Sequence, residues 1–305
     1  MSDATSPDPP FTDSPRDGQD GSNAPFPGLV LVSTPIGNLG DVSTRAAEAL
    51  RAADLILCED TRHSGRLLAQ VDARARTQPL HEHNEDGRIE PVLALLRQGR
   101  RVALVSDAGT PLVSDPGYRL VRAVIEAGLP VTAIPGPNAA VTALVLSGLP
   151  PQPFLFLGFP PPRAAARRAA FGTLRAAERA GLAATLIWHE APHRLAEALD
   201  DMLAAFGDRH AAVARELTKH FEEVRRGSLS VLAAHYATHA PRGEITVLVG
   251  PPEEDDPEDM DGRLRAALLT QSVKDAAALV AAATGLPRKL VYGRALELAR
   301  EGASD

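Results

Sequence analysis

The sequence predicts an α/β protein: two α/β domains in series, followed by a small C-terminal helical module. Three observations carry that reading. Short apolar, β-branched runs alternate with helical spacing along most of the chain, a proline-rich break divides it near residue 150, and residues 262–305 read as a helix-turn-helix-like module.

Residues 1–27 are dense in Pro, Asp, Ser and Gly and bury too little apolar surface to offset chain entropy, so a disordered tail is expected there. Leu29–Ser33 reads as a strand buried on both faces, and Asp41–Ala53 has helical spacing. The alternation continues through strand Asp54–Cys58, helix Arg88–Gln98 with Pro91 near its first turn, strand Arg101–Ser106 and helix Tyr118–Ala127. Strand Val131–Ile134 and helix Asn138–Ser147 complete a first domain over 28–149, which implies a mainly parallel sheet covered by helices.

Consecutive prolines in Gly148–Pro153 suit an extended linker and open a second domain over 150–250. It reads as strand Phe154–Leu157, an arginine-studded helix Arg163–Ala180, strand Ala184–Trp188 and helix Arg194–Phe206. Strands near Ala211–Arg215 and Glu244–Val249 follow, giving a second α/β unit that admits antiparallel edges. Residues 251–261 read as an acidic linker, and Ser272–Thr284 and Arg288–Arg300 as helices joined by Gly285-Leu286-Pro287.

Composition excludes several classes. The 32 Lys+Arg against 39 Asp+Glu leave a net charge of −7, which opposes indiscriminate coating of nucleic acid but permits a local basic patch. A single cysteine, Cys58, allows no intrachain disulfide and no cysteine-rich metal site; it reads as a buried strand residue. No basic-then-apolar leader and no apolar run of roughly 18 residues is visible, so a cytoplasmic protein without a membrane partner is expected.

Three Gly/Pro loops, Thr34–Leu39, Ser106–Gly117 and Pro135–Ala139, each follow a predicted strand at its carboxyl end, where open α/β sheets bind ligands. Glycine lets backbone amides approach a ligand closely and proline sets the loop shape in advance. One such loop is an ordinary tight turn; three on one sheet edge predict a ligand cleft. None spells G-x-G-x-x-G or G-x-x-x-x-G-K-[ST], which disfavours an NAD enzyme and a P-loop NTPase.

His189-Glu190-Ala191-Pro192-His193 spells the zinc-protease signature, yet Pro192 deletes a hydrogen bond that the required helix needs. His189 is therefore read as ending a strand and Pro192 as opening the next helix, with no metal expected. The polar loops Glu59–Ser64 and His81–Glu85 are dense in acid–base groups and are solvated loops or substrate handlers. Arg163, Arg167, Arg168, Arg175 and Arg179 share one helical region with the single acid Glu178, either as a solvated face or as phosphate contacts. Lys274, Arg288, Lys289, Tyr292 and Arg294 lie on the terminal helix pair.

Together the stretches LVSTPIGNL (31–39), CEDTRHS (58–64), LHEHNE (80–85), LVSDAGTPLVSDPGY (104–118), PGPN (135–138) and RELTK (215–219), with 190–194 and 242–250, resemble the tetrapyrrole-methylase superfamily. Within it they resemble the bacterial branch that methylates a ribose 2′-oxygen of 16S rRNA, at cytidine 1402, and the resemblance runs from about Gly28 to Arg300. It implies two α/β domains of the tetrapyrrole-methylase type with S-adenosyl-L-methionine bent into the cleft between them, a homodimer, and 16S rRNA in the small ribosomal subunit as partner. By motif position it assigns the cofactor to Pro35, Ile36, Gly37, Asn38, Ser106, Asp107, Ala108, Gly109, Asn138, Ala139, His189, Leu217 and Thr218. Ser106 and Ala108 depart from the wider superfamily's Gly-Asp-Pro loop, which fits the rRNA branch rather than a porphyrin substrate.

Alignment of the reactants would contribute most of the rate, and an acceptor for the hydroxyl proton would assist. Asp60, Glu190, His81 and Lys219 are candidates by location; Asp60 and Glu190 are proposed as catalytic because they end strands facing the cleft. Arg62, His63, Arg163, Arg167, Arg168 and Lys289 are the expected RNA contacts. A methyltransferase acting on a small tetrapyrrole and a non-catalytic RNA-binding assembly protein remain as alternatives.

Overall fold

The inner strands of the first sheet grow from runs with no polar alternation. In the computed structural model, which describes residues 26–252 and 257–301, β1 (Leu29–Val32), β2 (Leu55–Cys58), β3 (Arg76–Pro79), β4 (Val102–Val105) and β5 (Val131–Ile134) form a parallel sheet ordered β3-β2-β4-β1-β5. Helices α1 (Thr44–Ala52) and α2 (Thr61–Gln70) cover the face of Val30, Val32, Ile56 and Cys58. Helices α3 (Glu85–Arg97) and α4 (Tyr118–Glu126) cover the face of Leu29, Leu55, Leu57 and Leu104. Successive strand residues point to opposite faces, so the inner strands β2, β4 and β1, covered on both sides, are apolar throughout.

In the first domain two elements escape the sequence reading. The stretch 59–64, expected as a polar loop, becomes the start of α2, because the Asp60 side chain accepts the Arg62 backbone N–H and caps the helix. Strand β3 is a half-exposed edge of sequence Arg-Thr-Gln-Pro, with no apolar period to announce it. Helix α3 also starts three residues earlier than expected, so Pro91 lies in its interior rather than its first turn. Most of the expected tail, 1–25, is outside the described residues.

The second sheet corrects the expected topology. Strands β6 (Phe154–Phe156), β7 (Thr185–Glu190), β8 (His210–Arg215), β9 (Glu223–Ser228) and β10 (Ile245–Val249) are ordered β6-β7-β10-β8-β9. Only β6–β7 is parallel; β10 runs antiparallel to both neighbours, so the antiparallel pairing lies at the centre. Strand direction leaves little trace in residue type when a strand is fully buried, as β10 is. Helices α6 (Ala164–Arg179), α7 (Leu195–Phe206) and α8 (Leu229–Thr238) cover one face around Phe171, Trp188, Met202 and Phe206.

The opposite face receives α5 (Ala139–Ser147), which follows β5 of the first domain. Ala140, Ala143 and Leu144 pack with Ile187, Ala212, Ala214 and Leu248, so this helix joins the two sheets through a shared apolar core. That shared helix orients the carboxyl ends of the first sheet toward the second.

The C-terminal unit has three helices: α9 (Pro257–Leu268), α10 (Val273–Thr284) and α11 (Arg288–Glu301). They bury Leu264, Ala277, Val280, Val291 and Leu298, and Arg294 joins Asp261 through Nε at 2.8 Å. Helix α9 begins inside the stretch expected as a linker. Among the described residues no helix is long and apolar enough to cross a membrane.

Candidate active site

The loops leaving β1, β4 and β5 are knitted together by their own backbone. Thr34 and Gly109 exchange two hydrogen bonds, N–H to O at 2.8 and 3.1 Å, and the Thr34 hydroxyl donates to the Ser106 carbonyl at 3.2 Å. The Thr110 hydroxyl reaches the Pro137 carbonyl at 3.3 Å. Within 106–117, Leu112 and Ser114 both take φ of +71°, a left-handed conformation costly for such side chains and sustained only where the surroundings over-determine it.

Antiparallel pairing puts the second domain's contribution on one edge. Glu190 of β7 and Arg215 of β8 both pair with Ile245, so the ends of two strands and the beginning of a third face the first domain together. The turn after β8 is strained in the same way, with Glu216 and Thr218 at φ of +51° and +64°. It bridges the domains: the Asn38 N–H donates to the Thr218 hydroxyl at 3.1 Å. Gly37 is required there, because a Cβ would lie 2.4 Å from Lys219 Cγ and 2.9 Å from the Leu217 carbonyl oxygen.

Between the two edges lie two joined chambers of contrasting chemistry. The first, about 360 Å³, has apolar walls that include Ile36, Ala139, Phe159 and Ile245, and four carboxylates, Asp107, Asp115, Glu190 and Glu244. No lysine or arginine lines it. The second, about 600 Å³, carries His63, Arg66, Lys219 and His220 on its walls. Ile36, Asp107, Ala108 and Glu244 border both.

The carboxylates of the first chamber differ in state. Glu190 is almost fully buried; its Oε1 accepts from the Ala191 N–H at 2.7 Å and pairs with Arg194 at 2.6 Å, while Oε2 has no hydrogen-bond partner. Burial, reinforced by the charge of Glu59, pushes Asp115 up to about 6. Asp107 Oδ1 accepts the Asp60 backbone N–H at 3.2 Å. On the second chamber's wall, burial works against the Lys219 ammonium, but hydrogen bonds from it to Glu216 and Glu244 hold its pKa above the usual range.

Of the residues expected at the cofactor, Ile36, Asp107, Ala108, Gly109, Asn138, Ala139 and His189 line the first chamber. Pro35, Gly37, Asn38, Ser106 and Thr218 line the second, as does His63. Leu217 lines neither and is buried with Ile36 in the apolar core between the domains. Asp60 also lines neither: side-chain and backbone hydrogen bonds from Arg62 hold its carboxyl at about 2, so it is a helix cap and a poor proton acceptor.

Arg62 is exposed and paired with Asp60. Arg167 corrects the reading of its helix: it is 2% exposed, with Nε 2.7 Å from Asp201, and ties α6 to α7 where RNA cannot reach it. Arg163, Arg168 and Lys289 are exposed but line neither chamber. His189 lies within β7, with Nδ1 3.2 Å from the Thr246 hydroxyl, and Pro192 opens a 3-10 turn; burial lowers the histidine pKa. Asp115 and Glu244, missed as site residues, lay inside a highlighted loop and at a predicted strand start; Arg66 and His220 carried no sequence signal.

Residues 28–233 match the family described as tetrapyrrole (corrin/porphyrin) methylases, and residues 254–299 match an RsmI C-terminal HTH domain. A protein of Mesorhizobium japonicum named ribosomal RNA small subunit methyltransferase I is 49% identical over 276 residues, covering 89% of this chain and 92% of its own. Its namesake from Escherichia coli O157:H7 is 44% identical, covering 88% and 94%. Among solved structures, CobJ methyltransferase aligns with a TM-score of 0.55 at 18% identity, over 74% of this chain and 95% of its own. Uroporphyrin-III-C-methyltransferase from Thermus thermophilus gives 0.51 at 23%, over 72% and 93%; at such identities both likenesses concern the fold.

Proposed function

We propose a function from this premise: the chain belongs to the tetrapyrrole (corrin/porphyrin) methylase family. Its reaction is S-adenosylmethionine-dependent methylation of small-subunit rRNA, at the ribose 2′-oxygen of cytidine 1402 in 16S rRNA. The observation that carries the reading is the pair of joined chambers, one anionic and apolar, the other rimmed with cations. S-adenosylmethionine bears a sulfonium and an ammonium, which suit a chamber with four carboxylates and no lysine or arginine. The unpartnered Glu190 Oε2 offers a buried acceptor for one of its donors. An RNA phosphate backbone suits the other chamber, whose walls carry Arg66, Lys219 and two histidines.

When bound, S-adenosylmethionine supplies an electrophilic methyl group. The chain aligns the acceptor oxygen and removes its proton. Asp107 is placed for that work because its carboxylate borders both chambers, and the Asp60 N–H fixes one of its oxygens. Asp60 therefore acts through Asp107, and Glu190 acts on the cofactor side. His63 and Arg62 at the start of α2 are the nearer of the expected RNA contacts; Arg163, Arg168 and Lys289 extend them.

A homodimer and a cytoplasmic setting belong to the same proposal, with Val145 of α5, 70% exposed, as an apolar point for a second copy. The C-terminal helices serve as an RNA grip, so removing residues 260–305 reduces both RNA affinity and its salt dependence; unchanged binding would exclude that role. Calorimetric binding of S-adenosylmethionine, followed by methyl transfer to unmodified small subunits with uroporphyrinogen in parallel, tests the whole. Methyl transfer to the tetrapyrrole and none to the subunit would sink it.

A further inference from the structure

The turn after β8 carries two adjacent rings, one on the wall of the cation-rimmed chamber and one exposed beside it. His220 lines that chamber, and Phe221 lies beside it with ring centroids 4.8 Å apart in an edge-to-face arrangement. Phe221 is 68% exposed, on a turn that is otherwise held firmly. The Thr218 N–H donates to Glu222 at 2.7 Å, the Glu222 N–H donates to the Lys219 carbonyl at 3.1 Å, and Lys219 pairs with Glu216 and Glu244. A single exposed apolar residue is ordinary; a ring presented by a braced, strained turn next to a basic cleft is a different object.

We infer that Phe221, braced by His220, is a stacking platform for an unpaired nucleobase of the RNA substrate. The inference rests on the rRNA reading above. Asp107 lies on the walls of both chambers, and a nucleotide that leaves its stack to bring a ribose there sacrifices stacking that a protein ring can restore. Recognition of single-stranded RNA combines such rings with a cationic track for phosphates, and Arg66 and Lys219 line the adjoining wall. Among the described residues Arg66 has no ion pair, which leaves its charge available to a phosphate.

The test uses the full chain loaded with S-adenosylhomocysteine and unmodified small subunits. Phe221→Leu keeps an apolar side chain without a ring, and its affinity for subunits is expected to fall about 5- to 150-fold. Phe221→Trp is expected to keep wild-type affinity, and calorimetric S-adenosylmethionine binding is unchanged in both variants. The wild-type chain has one tryptophan, Trp188, 2% exposed, so the new indole's emission should be quenched as subunits saturate it. Wild-type affinity in Phe221→Leu, equal losses in both variants, or an unquenched indole overturns the platform. A changed sedimentation coefficient of Phe221→Leu alone assigns the ring to a contact between copies and overturns it as well. Wild-type protein that binds S-adenosylmethionine but no subunits removes the rRNA reading itself, and the platform with it.

Discussion

The two sheets reach the same cleft by opposite routes. In the first, all five strands run parallel, so every carboxyl end points toward the second domain and loops 34–39, 106–117 and 135–138 converge there. In the second, the centre is antiparallel, and the cleft edge mixes the ends of β7 and β8 with the start of β10. Parallel order concentrates backbone-shaped loops, which need glycine and proline. Antiparallel order contributes single side chains, Glu190, Glu244 and Lys219, of which the sequence reading singled out Glu190 and Lys219 by location and missed Glu244. In the proposed reading the first edge makes the seat, and the second supplies charge and closes it.

The largest expected effect tests whether the first edge also does the proton chemistry. Asp107→Asn keeps an oxygen for the Asp60 N–H but loses basicity, so single-turnover transfer at saturating cofactor falls about 10²- to 10⁴-fold. A full rate would move the proton acceptor to the second edge, where Glu244 also borders both chambers.

Next comes the arginine-rich helix of the second domain. Arg167→Ala breaks a buried ion pair and should cost about 3–5 kcal/mol in urea unfolding, against less than about 1 kcal/mol for the exposed neighbour Arg168→Ala. If Arg167→Ala instead lost RNA affinity at unchanged stability, that side chain would belong to the RNA surface.

Glu190→Gln retains the shape of the second edge and removes its buried charge. Calorimetry should show cofactor affinity reduced by about 1.5–3 kcal/mol, with the rate at saturation changed far less. The reverse pattern, a slow rate at normal affinity, would make Glu190 the proton acceptor.

The smallest effect concerns Asp115, on the first edge. Burial raises its pKa from 3.8 to about 6, so between those values the folded protein keeps a proton that the unfolded chain has released. Stability contributed by this residue therefore falls as pH rises through that window and is level above it. Asp115→Asn should match the wild type near pH 4 and exceed it at pH 7.5 by on the order of 1–2 kcal/mol in urea midpoints. A wild-type-like pH profile in the variant would show that the carboxylate is not desolvated in the native protein.

Legibility followed the same division. The loops after β1, β4 and β5 were readable because their conformations are imposed on the residues that form them: Gly109 takes φ of +83°, and Gly136 has no room for a Cβ beside Ser33. Helix α2 was hidden because a short acceptor such as Asp60 serves equally as a helix cap and as an acid–base group. Strands β3 and β9 were hidden because polar, partly exposed strands show no apolar period.

By itself the sequence determined the alternation of the first domain, its three Gly/Pro loops, and the family likeness they carry, since each depends on residues adjacent in the chain. Only the tertiary structure decided the rest. It turned β10 antiparallel, buried Arg167 against Asp201, drew Leu217 into the core, and set Asp107 rather than Asp60 between the chambers. Those outcomes depend on which residues meet through space. Strand direction and the packing of α5 between the sheets settle that, and neither is written in any local stretch of chain.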